Sequence, residues 1–216
     1  LEVVGRGLVR RLSLRTTGTA LEGPGGVTRS ATGWGLAGHV NFPMRWLAAG
    51  FGPDQLIGMG FYGQGIGRYF FGSTIGLDAI SNIGLPNASG GAVAFDAVTT
   101  YGGVAAYRRF WMEQLRSNFS FAYTRNEFPG FANGFVPGSA AANALNREQY
   151  QMFANLIWSP FATLLPSGAV GNGWLDVGVE YVLTRRDLFG GAAQTGVGVA
   201  GHGIANRFLA AAVARF

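Results

Sequence analysis

The chain has 216 residues, 36 of them glycine, with 48% hydrophobic and only 12% charged residues, 16 basic against 11 acidic side chains, and no cysteine. Soluble domains carry about 25% charged residues and about 7% glycine, so the composition speaks against an ordinary soluble surface, while 17 Phe, 7 Tyr and 5 Trp speak against disorder. The lack of cysteine excludes disulfide scaffolds, thiolate zinc sites and thiol catalysis, and because every basic residue is Arg, the Glu/Lys faces of soluble helical bundles cannot be built.

Taken in chain order, apolar residues recur with period two, the strand signal. A first, less regular strand is expected over Gly7 to Thr16. From Ser30 to Phe42, Trp34, Leu36, Val40 and Phe42 oppose Gly33, Gly35, Ala37, His39 and Asn41. Irregular alternation continues over Asp54 to Gln64 and roughly Val98 to Trp111. From Leu115, the set Leu115, Phe119, Phe121 and Tyr123 opposes Arg116, Asn118, Ser120 and Ala122. From Gln149, Tyr150, Met152, Leu156 and Trp158 oppose Gln149, Gln151 and Asn155. From Trp174, Leu175, Val177, Val179 and Tyr181 oppose Asp176, Gly178 and Glu180, and a final strand runs from Arg207 to Phe216. The charge-free part of the chain between Gln149 and Leu175 cannot be a membrane helix, because Pro160 and Pro166 interrupt it. Leu1 opens the chain without a Met or signal-like region, so the chain reads as mature, trimmed or truncated.

Aromatics gather at strand ends (Trp34 and Phe42, Tyr123, Tyr150 and Trp158, Phe208 and Phe216), and short links alternate with long ones at about 65–96, 127–148 and 187–205. Both are traits of an outer-membrane barrel with long extracellular loops. If Phe216 ends at the periplasmic rim, an even strand count brings the first strand to the same side.

The C-terminal third resembles the DcaP-like trimeric porins, on the segments NLIWSP (Asn155 to Pro160), DVGVEYVLTRR (Asp176 to Arg186) and NRFLAAAVARF (Asn206 to Phe216), with GIGRY (Gly65 to Tyr69) earlier. The closing strand is unusually rich in Ala, and the segment before it is a Gly/Ala tract. The resemblance implies a sixteen-stranded barrel, a homotrimer and substrates such as dicarboxylates. This length supplies about eight strands, so the expected fold is an all-β transmembrane antiparallel up-and-down barrel: half of a sixteen-stranded porin, or a small closed barrel.

Competing motifs carry less. G-x-G-x-x-G occurs at Gly33, Gly58 and Gly196, but no strand-to-helix context accompanies it. His39 and His202 lack metal-ligand spacing, and the arginines form no nucleic-acid motif. Neither a cofactor nor a metal is expected.

Arginine placement is more informative. Arg11, Arg15, Arg116, Arg186 and Arg207, with Arg215 near the rim, fall on the polar alternation set against only Asp176 and Glu180. Together with Asn118, Gln151 and Asn155 they are the expected channel lining, since arginine-lined pores favour anions. Arg10 and Arg109 share faces with apolar residues; Arg costs about 2–4 kcal/mol at the bilayer midplane and close to nothing near the interface, so snorkelling or a subunit contact is expected of both. The expected function is passive diffusion of small anionic solutes across the bacterial outer membrane, by a non-enzymatic homotrimer in contact with lipid and lipopolysaccharide. The alternatives are a closed eight-stranded adhesion or anchoring module, or a lipid-modifying barrel using His39 or His202.

Overall fold

In the computed structural model, residues 1–16, 26–69, 77–83, 93–135, 139, 145–165, 170–171, 173–190 and 201–214 are described. Arg215 and Phe216, and the central parts of the long connections, lie outside them.

Eight long strands form one antiparallel sheet: β1 (Glu2–Arg15), β2 (Thr28–Pro43), β3 (Gln55–Gln64), β6 (Thr99–Met112), β7 (Leu115–Glu127), β8 (Asn146–Trp158), β11 (Leu175–Leu188) and β12 (His202–Ala214), in that spatial order. Two short hairpins decorate it, β4 (Ala79–Ser81) with β5 (Phe95–Ala97) and β9 (Thr163–Leu164) with β10 (Val170–Gly171). Alternation of apolar and polar residues forces one register per strand pair, because a slip of one residue would exchange the faces.

The expectation of a barrel is corrected here. The order runs from β1 at one edge to β12 at the other, and β12 is exposed along its whole length. The sheet is open and encloses no lumen. Closure needs a bonded register between first and last strands, a requirement that alternation within each strand does not encode. The readings built on closure fall with it: the anion-diffusion channel, the closed eight-stranded adhesion or lipid-modifying barrel, and the membrane-embedded homotrimer of solute-conducting barrels contacting lipopolysaccharide.

Connections alternate along the chain. β2–β3, β6–β7 and β8–β11 are joined at one rim by 11, 2 and 16 residues, and β1–β2, β3–β6, β7–β8 and β11–β12 at the other, long-connection rim by 12, 34, 18 and 13. The expected contrast in length therefore fails at β8–β11, whose link is longer than that of β11–β12. Among the described residues the hydrophobic core lies at this long-connection rim: Ile80, Val98, Ala132 and Leu145 are buried, with Leu77, Phe128, Phe131, Phe135 and Phe189 packed around them. Among the described residues no apolar layer covers the sheet. Leu36, Val179 and Phe208 are 63%, 58% and 84% exposed.

Candidate functional site

Residues directly opposite across a strand pair share a face, so the registers sort the side chains into two surfaces. The outer surface carries Leu36, Val40 and Phe42 of β2, Leu56 of β3, Phe119 and Phe121 of β7, Met152 and Leu156 of β8, and Val177 and Val179 of β11. Aromatics bound this band at both ends. Toward the long connections they step diagonally across the sheet: Trp34 against Tyr62 (5.7 Å between ring centroids), Tyr62 against Tyr101 (6.1 Å), then Tyr123 opposite Tyr150, and Tyr181 against Phe208 (4.8 Å). Beyond that row stand Arg125, Glu127, Glu148, Arg185 and Asp187, with Arg125 3.7 Å from Glu148 and Arg185 3.1 Å from Asp187. Toward the short connections stand Trp46, Trp111, Trp158 and Trp174, the last stacked on Phe161 at 4.5 Å. Trp34 and Phe42 are separated along β2 by about 26 Å at the usual rise, before strand tilt is counted.

The opposite surface carries the polar set. In one row across five strands, Arg108 donates to Gln55 (3.4 Å) and to Asn118 (3.0 Å), Asn118 donates to Asn155 (2.9 Å), and Asn155 donates to Glu180 (3.3 Å). Beside it, Arg116 donates to Ser159 (2.5 Å) and to Asp176 (3.1 Å), and the Ser159 hydroxyl donates to Asp176. Nearer the long connections, Thr100 donates to Asn126 (2.9 Å), Asn126 to the Asn146 carbonyl (2.9 Å), and Arg186 to the Asn146 side chain. Gln151 donates to Thr184 (3.2 Å).

The structure therefore brings Arg116 to Asp176 and joins Asn118, Asn155 and Glu180, with Gln151 and Arg186 on the same surface. Arg207 also faces this way, opposite Val182, but stands apart from these networks on the edge strand. Arg11 and Arg15 do not join them. Arg11 is opposite Thr32 and Arg15 opposite Thr28, so both project from the outer surface, beyond the level of Trp34, and Arg11 donates to Ser30 at 3.3 Å.

Arg10 faces the other way from the lipid side that alternation suggests. It is opposite Gly33, pairs with buried Asp78, and lies 5.0 Å over the Tyr69 ring. Asp78 also holds Arg68, at 2.5 Å from its guanidinium and 3.0 Å from its backbone N–H. Arg109 is paired within the chain. Fully buried Asp54, in the β2–β3 connection, accepts from Arg109 (2.6 Å), Tyr107 (2.5 Å) and the Phe110 N–H (2.8 Å).

Sequence reasoning misses Arg108, Ser159, Asp54 and Asp78. Arg108 was within reach, since adjacent Arg108 and Arg109 must face opposite ways in a strand. The other three sit in connections or at strand ends, where periodicity is silent. His39 is 3.8 Å from Glu2. Among the described residues no three His, Asp or Glu side chains converge to hold a metal ion.

No protein-family model and no curated protein matches the sequence. The fold matches a solved structure, the outer membrane channel DcaP of Acinetobacter baumannii, with a TM-score of 0.57 at 19% sequence identity, over 98% of this chain and 47% of that one. The chain thus spans about half the length of the structure it matches. At this identity the likeness is one of fold.

Proposed function

We propose that the chain is a non-catalytic structural sheet of the bacterial outer membrane, distantly related to the DcaP-like proteins. Its outer surface lies against the membrane interior and its polar surface faces water. The observation that carries this reading is the tryptophan distribution: all five are 37–59% exposed, at the two ends of the apolar band and none in its middle. Indole rings favour the membrane–water interface, and the band between them matches the roughly 25 Å apolar zone of outer-membrane strands. Apart from Arg109, which Asp54 neutralises toward the short connections, the charged residues of the outer surface stand beyond the upper aromatic row, where ions cost little.

Unsatisfied backbone groups are not tolerated in lipid. The outer edges of β1 and β12 therefore serve as assembly surfaces, covered by further antiparallel strands. The polar surface contributes rigidity, through rows of side-chain hydrogen bonds that tie neighbouring strands in register.

Tryptophan quenching tests the placement. In bilayers of brominated lipid, bromines near the headgroups should quench the intrinsic fluorescence strongly and bromines at the chain ends weakly. Equal quenching at both depths, or none, would overturn it. Fractionation of cells expressing the chain should recover it with outer membranes.

A further inference from the structure

The polar surface is not uniform. Across β1 to β3 it becomes apolar and contains a cavity of about 420 Å³, within the range of small-molecule sites. Its floor is small: Gly35 and Ala37 leave the backbone of β2 open to the cavity. Val4 and Leu8 of β1 form one wall and Met59 of β3 the other, while Ile66 and Tyr69 close the end toward the long connections. That end is fixed in place. A Cβ on Gly63 would lie 2.8 Å from Ile66, so the isoleucine seats against the glycines of β2 and β3. Tyr69 lies under the Arg10 guanidinium, which Asp78 holds.

Arg6 supplies the one full cation lining this cavity. It stands opposite Ala37, at the middle of the floor, and makes no hydrogen bond or ion pair among the described residues. His39, also lining the cavity, stands 3.8 Å from the Glu2 carboxylate.

We propose that this cavity is a binding site for a single-chain amphiphile with a carboxylate head, its head beside Arg6 and its hydrocarbon body across Ala37 toward Met59 and Ile66. An apolar, preformed cavity accepts the chain at little reorganisation cost, and the unpartnered Arg6 guanidinium midway along its β1 wall matches a carboxylate bidentately. The site binds and does not conduct, and it is independent of where the chain resides in the cell.

Calorimetric titration of the full chain in amphipol with octanoate and with octanol tests the site. Octanoate should saturate at one per chain and bind about tenfold more tightly than octanol. Arg6→Gln should bring octanoate down to the octanol level while leaving octanol unchanged. Ala37→Phe, which fills the floor, should abolish both. Because a bulky residue on a central strand can impair folding, Val4→Phe on the edge strand gives the same test with less risk. No octanoate binding to the wild type, equal affinity for the alcohol, or wild-type binding in Val4→Phe would overturn the proposal.

Discussion

Asp54 and Asp176 show how single carboxylates organise this sheet. Asp54 is fully buried and accepts from three donors on β6, so it locks the β2–β3 connection onto the next strand. Removing one partner of a buried ion pair leaves an uncompensated charge, at a cost of about 3–5 kcal/mol. Arg109 is 30% exposed and Asp54 keeps its bonds from Tyr107 and Phe110, so Arg109→Leu should lower the urea midpoint of the solubilised chain by less than loss of a fully buried pair would. An unchanged midpoint would show that the clamp is dispensable. Asp176 makes the same kind of contact with Arg116 and Ser159. The residues on both partners of this second clamp were legible, since Arg116 and Asp176 both fall on the polar alternation. Asp54 was not, because its partners lie more than fifty positions along the chain and no periodicity connects a turn to a distant strand.

At the scale of elements, the strands are written in period two, and all eight long strands follow from it. Their contacts depend on glycine where two backbones or a backbone and a ring approach closely. A Cβ on Gly102 would lie 2.1 Å from the Tyr123 carbonyl and 2.9 Å from the Phe61 ring, whereas one on Gly5 would meet nothing within 4 Å. Gly102→Ala should therefore open the β6–β7 pair and destabilise by more than 2 kcal/mol. Gly5→Ala should be neutral or stabilise by up to about 1 kcal/mol, through the entropy of the unfolded chain. Thermal unfolding of the pair distinguishes them, and equal effects would contradict the close approach. The segment that follows β3 is held by Asp78, which Arg10 and Arg68 share. In Asp78→Asn, amide exchange at Arg68, whose N–H donates to that carboxylate, should accelerate at least tenfold while the β7–β8 amides stay protected. Neither the clamp nor the side on which Arg10 lies could be read from β1, where both faces mix aliphatic residues with Arg: Leu8, Arg10 and Leu12 on one, Val9 and Arg11 on the other. The register with β2 decides it.

For the whole molecule, the two surfaces make opposite predictions about access. The chain has no cysteine, so single cysteines report without background. In bilayers, Val179→Cys on the outer surface should resist a membrane-impermeant maleimide, and Ser120→Cys on the polar surface should react quickly. The reverse pattern, or equal rates, would contradict the proposed orientation. Both variants should fold alike, since neither position lies in a buried cluster.

The strands and their two-faced character were legible from sequence, because these depend on local periodicity and on where Gly and Pro interrupt it; the expected contrast of short and long connections was not met at β8–β11. Only the tertiary structure decided that the sheet stays open, that Arg11 and Arg15 leave the polar surface, and that Asp54 and Asp78 bind arginines from remote strands. Those outcomes depend on inter-strand register and on contacts between distant segments. A chain with the same alternation in every strand could pair its first and last strands or leave them free, and it is the bonding at those two edges that separates a wall from a pore.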